Sequence, residues 1–305
     1  MKTKIIKNLA SISDGYDSFI IDVYGVVFDG KDLVDGGVKA IYNLMQQGKN
    51  IALLSNSPRP SHVVRKRLCD NSTEGYAKEL FTNVPIFTSG DIFARTICGY
   101  YINNTNDQQE NLPKDNGQDK FDFLKGRGFV VGAGHDHHLI REIDDKLTGA
   151  NHIFRLTTNI NNASYIIMLG FFSSTMKNVE RALDNILSQA AAHDLVCLCP
   201  NPDKLAPDGN EQLYTSGFYA NRYVEVYGKN TIYFGKPFSM AYEVVFNAIP
   251  KMKGSRVLCI GDSLHHDVAG AISIGCDSLF IRNSIHHDLS YVEGGVPTYE
   301  IGVLS

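Results

Sequence analysis

Short apolar runs alternate along the chain with longer segments in which apolar positions recur every three or four residues. SFIIDVY, KNIALLS and VPIFTS read as strands, because each is aliphatic or β-branched and stops at polar residues or Gly. GGVKAIYNLMQQG sets Val38, Ile41, Leu44 and Met45 on one helical face and ends at Gly48. A second helix starts near Pro60 in SNSPRPSHVVRKRL, where proline is tolerated in the first turn, and a third covers GDIFARTICGYYI. Strand and helix in strict alternation predict an α/β fold, a doubly wound parallel sheet with right-handed crossovers.

The pattern then breaks. NNTNDQQENLPKDNGQDK, residues 103–120, has one aliphatic residue and reads as a loop or linker. Beyond it come further strands, GFVVGAG, SYIIMLGF and DLVCLCP, and an amphipathic helix with Met176, Val179, Leu183, Ile186 and Leu187 on one face. TIYFG, a helix from Pro237, RVLCIG, a helix from Asp267 and DSLFI resume the first pattern. The expected organisation is a core from 1–102 and 228–305, interrupted by an inserted α/β domain at 103–227.

Composition narrows the function classes. The 305 residues suffice for one large or two modest domains. Net charge is −4, and the longest basic run, VVRKRL, reads as the solvated face of a helix, so no nucleic-acid partner is expected. No stretch approaches the ~18 apolar residues of a membrane span. The N-terminal lysines precede no apolar core, so neither a membrane nor an export signal is expected. Cys69, Cys98, Cys197, Cys199, Cys259 and Cys276 lack a second pair at metal-ligand spacing and read as free thiols of a reducing cytoplasm.

Chemistry gathers where apolar runs end. Asp22 follows FII, Ser55 ends IALLS, Lys236 follows YFG, and Asp262 and Asp267 follow VLCIG. A carboxylate can attack phosphorus, a hydroxyl and an ammonium can hold a phosphoryl group, and paired acids can bind a hard cation. Lys236 is not part of a P-loop, since Asn230 stands where the loop's first Gly belongs and Pro237 replaces its Ser or Thr. Asn201, Pro202 and Asp203 follow a strand and read equally as a turn or as a substrate-facing loop. Arg59 is either solvated or aimed at a substrate anion. His135, His137 and His138, with pairs at 265–266 and 286–287, form no HExxH and read as surface positions; His265 or His266, beside Asp262, are candidates to line the site.

DVYGVVFDG, SNSPR, CPNPD, GKP and GDSLHHD, in that order, resemble the haloacid dehalogenase superfamily of hydrolases, and within it subclass IIA, the branch of sugar-phosphate and pyridoxal-phosphate phosphatases. The resemblance spans nearly the whole chain. It implies a Rossmann-like core with an α/β cap between the second and third motifs. It also implies a Mg²⁺-dependent phosphatase that hydrolyses a small phosphorylated metabolite, such as a sugar phosphate, through an aspartyl-phosphate. Asp22 is then the nucleophile, and Ser55, Asn56 and Lys236 hold phosphate. Asp22, Asp262 and the backbone carbonyl of Tyr24 bind the metal, Asp267 binds it directly or supports it, and Asn201 and Asp203 on the cap help choose the substrate. A homodimer is left open.

One residue departs from the pattern. Phosphatases of this superfamily carry a second acid where Tyr24 stands, to protonate the leaving alcohol. A phenol of unperturbed pKa about 10 is a poor substitute in this catalytic position. A dehalogenase-like hydrolase without metal, or a weak family member that only binds a phosphorylated ligand, are the alternatives. Dehalogenases of that kind, however, do not keep both acids of GDSLHHD, and they carry their cap between the first and second motifs.

Overall fold

The computed structural model describes residues 3–104, 118–132, 137–150, 152–173, 177–208, 211–282 and 295–304. Most of the expected loop at 103–120, together with Met176, His135 and the His pair at 286–287, lies outside the described residues. Contacts divide the chain into two units, residues 1–55, 59–89 and 235–305 in one and residues 56–58 and 90–234 in the other.

The first unit is built on a seven-stranded sheet. Its order is Lys4–Ile5, Tyr299–Ile301, Asp277–Ile281, Val257–Gly261, Ser18–Ile21, Asn50–Ser55, Ile86–Thr88, and every pairing is parallel. Ser18–Ile21 and Val257–Gly261, at the centre, are buried along their whole length. That explains why their sequences run apolar instead of alternating. The helix Asp35–Gln46 buries Val38, Ile41 and Leu44 and packs a half-buried Met45 on the same core, the face read from the 3.6-residue period. The helix Ser61–Asp70 starts one residue after Pro60, whose carbonyl accepts from the amides of Val63 and Val64. The helix Gly75–Asn83 escapes the sequence reading; it is short and sets Ala77, Leu80 and Phe81 into the core from an otherwise polar stretch.

The second unit holds a five-stranded parallel sheet in the order Thr231–Tyr233, Val196–Cys199, Tyr165–Met168, Gly128–Val131, Leu156–Thr157. TIYFG therefore does not resume the first pattern: Thr231–Tyr233 pairs with Cys197–Cys199. A three-residue strand has too few side chains for its period to say which sheet it joins. The helices Lys177–Ala192 and Ser216–Tyr227 contribute Leu183, Leu187, Tyr219 and Tyr223 to the core of this unit. A three-stranded antiparallel sheet joins Leu205–Asp208, Glu211–Thr215 and Phe171–Ser173. Its edge strand contains Pro207, and proline is confined to such edges because it has no amide to donate. The interval expected for the insertion, 103–227, lies within this unit, whose contacts extend back to Gly90 and on to Phe234.

The six cysteines are free thiols. Among the described residues no helix is long and apolar enough to cross a membrane.

Candidate active site

The topology of the first sheet marks one place for chemistry. From Ser18–Ile21 the chain steps outward through Asn50–Ser55 to Ile86–Thr88, and it later returns on the opposite side through Val257–Gly261. The order reverses between these two central strands, and open α/β sheets bind ligands at the carboxyl ends of strands flanking such a reversal. Asp22 and Asp262 each follow the last residue of one of these two strands, and the Asp22 amide donates to the carbonyl of Ile260 at 2.9 Å.

Four charged side chains meet there. Carboxylate oxygens of Asp22, Asp262 and Asp267 all lie within 4.8 Å of one another. Lys236 Nζ is 2.7 Å from Asp22 Oδ1 and 2.7 Å from Asp267 Oδ1. Asp22 is 8% exposed, Asp262 1%, Asp267 4% and Lys236 3%, so each group depends on its neighbours for the solvation it has lost. Three acids against one ammonium leave excess negative charge. Burial pushes the Asp22 carboxyl up to about 8; Lys236 opposes this, while Asp267 and Asp262 add to it. Burial pulls the Lys236 ammonium down, but Asp22 and Asp267 outweigh it, so its pKa is raised and it stays charged.

Local backbone fixes these positions. The amide of Val23 donates to Asp22 Oδ1 at 2.7 Å. Leu264–Val268 form a wide π turn capped by Ser263, whose hydroxyl accepts from the His266 amide. That turn carries Asp267 back toward the strand end, where Asp267 Oδ2 accepts from the Ser263 amide at 3.1 Å. It also closes on Gly261. A Cβ at Gly261 would lie 2.0 Å from Asp267 Cγ, so only glycine admits the carboxylate. Gly261→Ala is expected to displace Asp267 and to cost about 1–3 kcal/mol of stability, read by thermal unfolding. A wild-type melting temperature would contradict the close approach. The GD pair in the sequence carried the signal for this residue, but the distance required the fold.

A hard divalent cation suits this set. All three donors are carboxylate oxygens, they converge, and their excess charge is what such an ion neutralises.

The other expected residues have the following surroundings. Ser55 ends its strand, 1% exposed, opposite Thr88. The Tyr24 ring packs edge-on against Phe28, with centroids 5.8 Å apart, and rests on the core of the first unit. Arg59 is half-buried. Asn56, Asn201 and Asp203 come together within the second unit. The Asn56 amide donates to Asp203 Oδ1 at 2.8 Å, and Asn201 Oδ1 accepts from the Asp203 amide at 3.1 Å. Asn201–Asp203 form a turn, as their turn-favouring composition predicts. The side chain of Asn201 closes the turn, and Gly217 lets the helix start approach the carbonyls of Pro202 and Asp203. His266 Nδ1 lies 3.2 Å from Ser263 Oγ.

Comparison with known proteins agrees with this architecture. Residues 19–144 match the profile described as haloacid dehalogenase-like hydrolase, and residues 233–298 match one described as HAD-hydrolase-like. No curated protein matches. Among solved structures, a haloacid dehalogenase-like hydrolase from Brucella suis shares 22% identity at TM-score 0.73, covering 99% of this chain and 100% of that one. A possible sugar phosphatase from Cytophaga hutchinsonii shares 19% at TM-score 0.69, covering 98% of each. A glycerol phosphate phosphatase from Mycobacterium tuberculosis in complex with magnesium shares 19% at TM-score 0.61, covering 97% of this chain and 77% of that one. At these identities the structural likeness speaks for the fold. The two profiles match the segments that carry Asp22, Ser55, Lys236, Asp262 and Asp267, and the chain belongs to the haloacid dehalogenase-like hydrolases.

Proposed function

We propose that the chain is a Mg²⁺-dependent phosphatase of subclass IIA, acting on a small phosphorylated metabolite in the cytoplasm. One observation carries the reading: three converging buried carboxylates, two of them bridged by Lys236, at the switch point of a parallel sheet. The magnesium held by the Mycobacterium tuberculosis phosphatase of similar fold supports the choice of ion.

Asp22 attacks phosphorus in line. A P–O bond to Asp22 forms as the bond to the leaving oxygen breaks, and water then attacks phosphorus and frees the carboxylate. Lys236 balances charge on the phosphoryl oxygens and on Asp22, and Asp267 positions Lys236 through its 2.7 Å contact. The Ser55 hydroxyl and the Asn56 segment donate to the phosphoryl group. Asp22 and Asp262, with the Tyr24 carbonyl and with Asp267 bound directly or in support, would hold the cation, which supplies positive charge opposite the phosphoryl oxygens. Asn201 and Asp203 bear on substrate choice.

Hydrolysis of p-nitrophenyl phosphate with Mg²⁺ and with EDTA tests this reading. Turnover confined to Mg²⁺ is expected. Turnover indifferent to EDTA would turn the assignment toward the metal-free dehalogenase chemistry.

Tyr24 bears on the leaving group. An alkoxide leaving phosphorus needs a proton in the transition state, and a positioned acid supplies ~10²–10⁴-fold. Tyr24→Asp is expected to raise the rate on an alkyl phosphate relative to p-nitrophenyl phosphate, whose leaving anion is already stable. An unchanged ratio in a folded, Mg²⁺-binding variant would mean that another residue is the acid, with His265 and His266 the first to examine.

A further inference from the structure

The loop after Asp22 is held by a contact that the chemistry above does not use. The amide of Val23 donates to Asp22 Oδ1, and the carbonyl of Val23 accepts from the amides of Val27 and Phe28 at 3.0 and 3.1 Å. The two peptide groups flanking Val23 thus do separate tasks: one orients the carboxylate, the other anchors a tight turn. Gly25, at φ 82°, returns the chain so that its amide reaches the Phe28 carbonyl at 2.8 Å. Phe28 is the hub of this turn. It bridges to Tyr24 and Leu33, and Tyr24 packs edge-on against its ring.

Phe28 is 1% exposed although the polar stretch DGKD follows it. Arg67 contributes to that burial. Its guanidinium lies 4.9 Å from the centre of the Phe28 ring, and its Nη2 donates to the carbonyl of Gly30 at 2.5 Å. Arg67 stands in the last turn of the helix Ser61–Asp70, which is anchored through buried Val64 and Leu68. A side chain on a rigid element therefore holds the loop from its solvent side, through the face of one aromatic ring and one carbonyl.

We infer that Arg67 is a positioning residue for Asp22: it holds the turn whose Val23 amide orients the nucleophilic carboxylate. The path is continuous, from the guanidinium to Phe28, from the Phe28 amide to the Val23 carbonyl, and from the Val23 amide to Asp22 Oδ1. The part played by Asp22 rests on the phosphatase reading, but the clamp itself does not. Arg67 is exposed, and among the described residues its side-chain contacts are the Gly30 carbonyl and the Phe28 ring, neither of them charged, so the variants are expected to fold.

Arg67→Ala and Arg67→Lys decide the matter with two readouts. Hydrogen exchange is followed at the amides of Val23, Val27 and Phe28 without substrate. Arg67→Ala is expected to speed exchange there by about tenfold, while amides of the sheet exchange as in the wild type. On p-nitrophenyl phosphate with Mg²⁺, kcat per folded molecule is expected to fall about five- to tenfold with KM within about twofold, because orientation of the attacking group is felt in the chemical step. Lysine keeps the charge and the aliphatic stem but has no plane to cover the ring, so Arg67→Lys is expected to fall between the two in both readouts. Wild-type exchange in Arg67→Ala would overturn the clamp. Faster exchange with kcat unchanged would overturn the positioning of Asp22. Absence of turnover in the wild type counts against the phosphatase reading, and the exchange of the Val23 amide then decides the inference alone.

Discussion

Asp22→Asn is expected to abolish hydrolysis, by about a thousandfold or more in kcat, while leaving the fold intact. The amide is nearly isosteric with the carboxylate but a very poor nucleophile, and each tenfold loss corresponds to about 1.4 kcal/mol of barrier. Activity within about tenfold of wild type would end the covalent mechanism. The same variant carries a second expectation, about stability without metal. The Asp22 carboxyl is pushed up to about 8 by burial, with Asp267 and Asp262 adding to the shift against Lys236. The folded chain therefore holds this proton more tightly than the unfolded chain, where an aspartate titrates near 3.9. The contribution of Asp22 to stability is most favourable below about 4 and is lost as pH rises through about 8. Asn has no proton to lose. Metal-free Asp22→Asn should be more resistant to heat than wild type at neutral pH, with a flatter dependence between these limits. Identical pH profiles would show that the carboxylate crowding is absent.

Asp262→Ala is expected to weaken Mg²⁺ binding by roughly a hundredfold and to lower turnover with it. Asp262 is 1% exposed at the end of the central strand Val257–Gly261 and shares its oxygen cluster with Asp22 and Asp267. Its removal leaves two acids against Lys236, so the fold should tolerate the change while the donor set loses a member. Calorimetric titration with Mg²⁺ separates binding from catalysis. Wild-type affinity with lost turnover would remove Asp262 from the donor set and assign it another part in the reaction.

How much of this was legible in the sequence follows from what each feature depends on. The central strands were readable because strands buried on both faces must be apolar, and the polar residues that end them mark where function begins. Asp22, Ser55, Lys236, Asp262 and Asp267 could be named for that reason. The geometry that joins Asp22, Lys236, Asp262 and Asp267 could not. Lys236 is thirty-one residues from Asp267 along the chain, and only the folded sheet puts its ammonium on that carboxylate. TIYFG does not reveal its sheet, because three residues carry no usable period, and Gly75–Asn83 gives little helical signal, because its apolar face is only one short stripe. The antiparallel sheet was hidden by Pro202, Pro207 and the Asp and Gly around them, which favour turns in any context. The sequence offers Asn56 only as a phosphate ligand; that its side-chain amide donates to Asp203 is a pairing across a sequence separation that no spacing rule reaches. Arg67 read as a solvated charge in VVRKRL, and it is exposed; what the sequence could not show is the Phe28 ring beneath it.

The covalent role of Asp22 is open to direct capture. Brief exposure of the protein to p-nitrophenyl phosphate with Mg²⁺, followed by acid quench and borohydride reduction, converts an aspartyl-phosphate to homoserine. Mass spectrometry of the peptide containing residues 18–28 then reads the site. Homoserine at Asp22, lost in Asp22→Asn, is the expected result. Steady turnover with that peptide unmodified, or with the label on another residue, would contradict the assignment of Asp22 as the nucleophile.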